Sequence, residues 1–364
     1  MLRIADGSSH RNQDVMPRKT RDRLNNPTMH DVAKLAGVAQ STVSRVLNGS
    51  DSFIPISDET RQRILDAVQQ LEYQPNMIAR SLRTQQTQMI AVMIGDISNA
   101  FYHPIVRSIQ DFAGARDYEV LISNSDHLYE NEARFLRSIL RRPVDGIIMA
   151  PHRLTNQELD HFIRRSDIPI VAIGAQVTHP GIDVIGGTSE PATYEAVSWL
   201  IKVAGHRRIG FIGVADDMPP GPARLKGYKR AMADAGLSIK QGWVQKVEFT
   251  TEGGQRAMRT ILDQKNPPDA IFSSNSLMAI GAMKETYARG YRIPDDFSFM
   301  GFDDIPESTI VQPSLTLIAR DLTHIGRQAV ALLFERIDGQ VSGNGRFVQS
   351  EWKLIERESV RRLK

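Results

Sequence analysis

The feature that most constrains this chain is a change of period near residue 87. Beyond it, short Val/Ile-rich runs recur about every 30 residues with amphipathic helical stretches between them, the spacing of β-α-β units. One set is Met89–Ile94, Glu119–Ile122, Gly146–Met149 and Ile170–Ile173. A second is Ile209–Val214, Val244–Phe249, Ala270–Ser273 and Phe297–Gly301. Continuous apolar runs alternating with helices predict parallel sheets covered on both faces. Two such sets predict two doubly wound α/β subdomains in tandem. Ligands of these sheets bind beyond the carboxyl ends of the strands, here in the cleft between the subdomains. A chain of 364 residues is long enough for two or three domains.

Residues 28–74 follow a helical period instead. Thr28-Met29-His30-Asp31 has the form of a capping box. Met29, Val32, Ala33 and Leu35/Ala36 form an apolar stripe that Gly37 ends. A second helix is predicted from Gln40 to Asn48, with Val43, Val46 and Leu47 buried and Gln40, Ser41, Ser44 and Arg45 on the other face. A third starts at Ser57, with Asp58 and Glu59 in its first turn and Ile64, Ala67/Val68 and Leu71 facing inward. A short helix, a glycine turn and a second helix with a polar outer face make a helix-turn-helix. A plain solvated three-helix bundle shares that pattern. The side chains favour DNA, since Gln pairs bidentately with adenine and Arg with guanine. Charge agrees: residues 1–87 hold 12 Lys/Arg against 9 Asp/Glu, and the remainder 33 against 33.

Other classes find little support. With no cysteine there is neither a disulfide nor a thiolate metal site. No apolar run reaches the roughly 18–20 residues of a membrane span. Residues 1–27 lack a signal-peptide core and read as a disordered basic leader, with Arg18, Lys19, Arg21 and Arg23 clustered near its end. A cytoplasmic location without membrane contact is expected. No phosphate loop or His-Glu-x-x-His site occurs, so neither a cofactor nor an enzymatic activity is expected. The nine histidines read as structural. A secreted sugar-binding protein would share the core but not residues 28–83, and a sugar kinase or hydrolase would need catalytic groups that no motif supplies.

The wording of the segments adds a resemblance. Met29 through Val38, Ser41 through Asn48, Glu59-Thr60-Arg61 and Tyr73 through Leu82 resemble the lactose/galactose-repressor family of bacterial transcriptional regulators. So do Asp96 through Tyr102, Val144 through Ile148, Gly205 through Gly213, Arg224 through Tyr228, Ser274 through Gly281 and Gly301 through Asp304. The resemblance runs from about Thr28 to Val360. It implies an all-α helix-turn-helix headpiece at 28–74 and a hinge at 75–87. A periplasmic-binding-protein-like core follows, of two doubly wound subdomains: 88–187 with 322–349, and 188–321 with 350–362. The implied function is a repressor, a homodimer on near-palindromic double-stranded operator DNA, controlled by a small polar effector. Bases would be read by Gln40, Ser41 and Arg45, while Thr42, Ser44 and Asn48 contact phosphates or brace the motif. The hinge would add Asn76, Ala79 and Leu82, the leucine wedging into the central base step of the minor groove. Effector contacts would fall to Asp96, Phe101, Tyr102, Arg224, Asn275, Asp303 and Arg320.

Several positions depart from the family pattern. Ala39 replaces a usual serine, and the loop from Gly49 to Ile56 is longer than usual. Asn275-Ser276 and Thr188-Ser189 stand where Asn-Asp and Asp-Asn are common. Fewer acids beside Arg224 and Arg320 favour a sugar acid, phosphate ester or other anion over a neutral sugar.

Overall fold

A computed structural model describes residues 27–48, 55–74, 81, 86–174 and 176–363, with the backbone alone at Asn48. The expectations for the leader, the long loop, Asn76, Ala79 and Leu82 fall outside these residues. The chain divides into two compact units, Met1–Arg83 and Thr84–Lys364.

In the first unit, helices α1 (Met29–Ala36), α2 (Gln40–Asn48) and α3 (Asp58–Gln70) form the headpiece. Local signals fix their ends. The Thr28 hydroxyl accepts from the Asp31 amide, and the Asp31 carboxylate accepts from the Thr28 amide at 2.8 Å, a complete capping box. Gly37 closes α1 at φ +67°, a conformation glycine adopts without strain, and its N–H returns to the Ala33 and Lys34 carbonyls. Ser57 caps α3 through the Thr60 amide. Val32, Val43, Val46, Ile64 and Tyr73 meet in one small core with three alanines.

The second unit holds two six-stranded sheets. In the first, the order is β11-β5-β4-β3-β1-β2 and every pairing is parallel. Its strands are β1 (Met89–Ile94), β2 (Glu119–Asn124), β3 (Gly146–Met149), β4 (Ile170–Ile173), β5 (Asp183–Gly186) and β11 (Phe347–Gln349). The second sheet runs β12-β10-β9-β8-β6-β7. Its strands are β6 (Ile209–Gly213), β7 (Val244–Lys246), β8 (Ala270–Ser273), β9 (Ser298–Phe302), β10 (Thr316–Ala319) and β12 (Lys353–Ile355), the last antiparallel to β10. Strand order reverses at β1 and at β6, which makes each sheet doubly wound.

Two apolar layers flank each sheet. The chain passes between the sheets three times. After β5 the helix Ser189–Lys202 packs into the second subdomain through Ala192, Ala196 and Leu200. After β10 the helix Leu322–Ile337 returns to the first through Ile325, Ala329 and Leu333. Between β11 and β12 the chain crosses again. The sequence expectation of four strands per sheet was short by β5, β10, β11 and β12. In β5 the short run opens on the buried Asp183, whose carboxylate accepts from Arg336 at 2.7 Å and Arg346 at 2.9 Å. A buried acid neutralised from so far along the chain breaks the apolar pattern that identifies a strand.

Candidate functional site

A cavity of about 400 Å³ lies between the two sheets, the size of a small-metabolite site. Its lining follows the carboxyl ends of strands in both sheets. Phe101 and Tyr102 come after β1, His127 after β2 and His152 after β3. On the other side Arg224 comes after β6, Asn275 after β8, Asp303 after β9 and Arg320 after β10.

Arg224 sits in the first turn of the helix Gly221–Asp234. Its guanidinium lies 3.6 Å from the centroid of the Phe302 ring. One terminal nitrogen donates to the Ser274 carbonyl, and the other donates to Asp303 at 3.3 Å. Burial pulls its pKa down to about 10; the Asp303 carboxylate opposes that shift and Arg320 adds to it. Asp303 holds a left-handed backbone, φ +68°, the kind of strain that functional sites store. Arg320 stacks 4.4 Å from the Trp352 ring centroid. Among the described residues, four buried polar atoms on this wall find no partner: Arg224 Nε, Asp303 Oδ1, Arg320 Nε and Trp352 Nε1. An unmet buried polar group costs about 1–3 kcal/mol, so such a cluster is suited to a ligand that satisfies it.

The apolar wall is Phe101 and Tyr102, edge to face with centroids 5.0 Å apart on the short 3₁₀ turn Ala100–Tyr102. Asn99 caps that turn through the Phe101 amide at 3.0 Å. Burial pushes the Tyr102 phenol well above the usual tyrosine range, so it stays protonated. The Asn275 side-chain oxygen caps the helix Ser276–Ala288, accepting from Met278 at 3.2 Å. Thr188 and Ser189 also line the cavity.

Six of the seven expected effector residues thus meet in one cleft. Asp96 does not line it. Its carboxylate accepts from the Ser98 amide at 2.8 Å and the Ser98 hydroxyl at 2.6 Å, so a local turn consumes it. Two of the histidines read as structural, His127 and His152, also line the cavity. Phe249, after β7, and Trp352, on the last crossover, were missed as well. The strand-end rule could have found His127, His152 and Phe249. In the headpiece Gln40 and Ser41 are exposed, whereas Thr42, Ser44 and Arg45 are half-buried. Among the described residues no cluster of His, Asp and Glu could hold a metal, and no helix is long and apolar enough to cross a membrane.

A helix-turn-helix unit ahead of a two-sheet ligand cleft defines a class, the effector-controlled transcription regulators. Known proteins narrow it. Residues 28–76 match the bacterial regulatory proteins of the lacI family, and residues 201–360 match the periplasmic binding protein-like domain. Catabolite control protein A of Priestia megaterium is 34% identical over 309 residues, 85% of this chain and 92% of that protein. The HTH-type transcriptional repressor CytR of Escherichia coli K12 is 32% identical over 338 residues, 92% of this chain and 97% of that one. The Lac repressor dimer bound to operator and the anti-inducer ONPF superposes with a TM-score of 0.80 at 25% identity, over 92% of this chain and 99% of that one. The complex of the transcriptional regulator CelR with cellobiose gives 0.67 at 29% identity, over 92% and 99%.

The chain belongs to the lacI family. It is a sequence-specific DNA-binding transcription regulator under small-molecule control.

Proposed function

We propose that this protein acts as a dimeric repressor whose effector is a small anion, a sugar acid or phosphate ester, held by Arg224 and Arg320. The observation that carries this reading is the charge on one cleft wall. Two guanidinium groups face a single carboxylate, Asp303, and both keep an unpartnered Nε. A neutral sugar leaves that excess positive charge uncompensated in a desolvated site, whereas an anion neutralises it and fills the donors. Asp303 then accepts from neighbouring hydroxyls, and Phe101 and Tyr102 form the platform beneath the ligand.

At the other end, Gln40, Ser41 and Arg45 read base edges in the major groove, with Thr42, Ser44 and Asn48 on the flanking phosphates. Asn76, Ala79 and Leu82 of the hinge occupy the minor groove at the centre of the operator. Effector closing the cleft shifts the subdomain 88–187 with 322–349 against 188–321 with 350–362. That motion changes the spacing of the two hinge segments in the dimer, a two-state element both sites can bias.

The test pairs acids and phosphate esters of common sugars with their neutral parents. Each is titrated into a gel-shift assay on operator fragments selected from genomic DNA. The charged members should change operator affinity while their parents do not. A neutral sugar that acts at the same concentration as its charged derivative would overturn the assignment.

A further inference from the structure

Facing the arginine wall, the first subdomain presents two histidines whose Nδ1 atoms are 3.3 Å apart, with the rings edge to face at 4.5 Å. Both line the cavity. Their placement is built in from several sides. The buried Glu132 accepts from the amides of His152 at 2.7 Å, Arg153 at 2.9 Å and Leu154 at 2.9 Å, fixing the loop that carries His152. His127 has a left-handed backbone, φ +57°. A side chain on Gly95 would place its Cβ 2.2 Å from the His127 ring, so glycine there clears the room the imidazole occupies.

We propose that His127 and His152 form a second recognition pole of the cleft, an imidazole pair that takes up one proton as an anionic effector seats between it and the two arginines. This rests on the anionic reading above and adds who selects the charge.

The chemistry follows from the short Nδ1–Nδ1 contact. With both rings neutral, one Nδ1–H donates to the other Nδ1. The ring that donates then keeps a bare Nε2. A proton added there leaves the bridging hydrogen bond intact and strengthens it, and both Nε2 atoms become donors. A second proton would set two N–H groups head-on at 3.3 Å, so the pair accepts only one.

The surroundings keep the empty pair neutral. Burial lowers His152 to about 3, with His127 and Arg153 adding to the shift and a hydrogen bond to the Ala150 backbone opposing it. Burial also lowers His127, with Arg153 in the same direction and the carboxylates of Asp96 and Asp126 against it. Across the mouth lie the Phe249 ring, 6.0 Å from His127, and Asp217, which accepts from Arg153 at 3.0 Å. The Tyr102 phenol, beside Gly95, stays protonated. An anion in the cleft favours the charged pair and raises its proton affinity. Affinity for the anion therefore grows as pH falls through the bound-state value of the pair.

Sulfate is the probe, because its own charge is constant over the range. Calorimetric titration of the full chain should show sulfate binding tightening about tenfold from about pH 8 to about pH 5.5, the effect of one raised imidazole pKa. Repeating it at the lower pH in two buffers of different ionisation heat should register proton uptake. The double variant His127→Gln/His152→Gln, which leaves no imidazole at this pole, should lose both the pH dependence and the proton uptake. Sulfate binding with no pH dependence and no proton uptake in the unaltered protein overturns the histidine pole alone, as does a dependence that survives in the double variant. Absence of sulfate binding at either pH overturns it together with the anionic reading of the cleft. Should a variant fail to fold, the proton count in the unaltered protein decides the matter.

Discussion

In the headpiece, Gln40 and Ser41 stand exposed on α2, and the buried residues beneath them are apolar or aromatic. In the cleft, Arg224 and Asp303 are each only 6% exposed, hold each other, and leave one polar atom apiece without a partner. The difference follows from the ligands. DNA brings an extended polyanion and its own hydrated surface, so the protein can leave its reading groups in water until they meet. A small effector offers few contacts, and each must be strengthened by desolvation, so the groups that hold it are built into the core. Function and stability should therefore separate cleanly in the headpiece and not in the cleft.

The largest effect should come from breaking the cleft. Arg224→Ala leaves the Asp303 carboxylate buried without its ion-pair partner, and unfolding of the second unit in urea should lose about 3–5 kcal/mol. A loss well below that would mean Arg320 or water can take over, and the contrast with the headpiece weakens. Gln40→Ala should do the reverse. Specific operator affinity should fall by about 1–3 kcal/mol, while the urea midpoint moves by no more than about 0.5 kcal/mol in stability. An equal fall on unrelated DNA would reduce Gln40 to a phosphate contact. The smallest effect is expected at the rim of the cleft. Arg153 and Asp217 pair at 3.0 Å, but the acid is largely in solvent. Asp217→Ala should leave the urea midpoint unchanged, as exposed pairs generally do. A clear drop would make this contact between the subdomains part of the closed cleft rather than a surface pair.

How legible each region was in the sequence tracks the range of the interactions that hold it. Thr28 with Asp31, Gly37 and Ser57 act within one turn of their own helix, so the headpiece could be drawn from the chain in order. The same holds for β1, β3, β4 and β8, whose apolar runs are fully buried between helices apart from the exposed end of β1. The strand β5 begins instead on Asp183, and what neutralises that acid arrives from the helix Leu322–Ile337 and from Arg346, just ahead of β11.

The cleft divides along the same line. Arg224 and Asp303 were found because the motifs around them resemble a known family. Asp96 was named on equal grounds, yet it lies off the cavity lining, and only the folded turn shows its carboxylate bonded to Ser98. The sequence by itself determined two doubly wound sheets behind a helical headpiece, and with them a ligand site at the strand ends, because periodicity and capping are local. Only the tertiary structure decided what that site contains. It brought His127 within reach of His152, 25 residues on, and swung Trp352 under Arg320 on the last crossover. Those neighbours are set by how the loops close over the strand ends, and no spacing along the chain encodes a distance across a cleft.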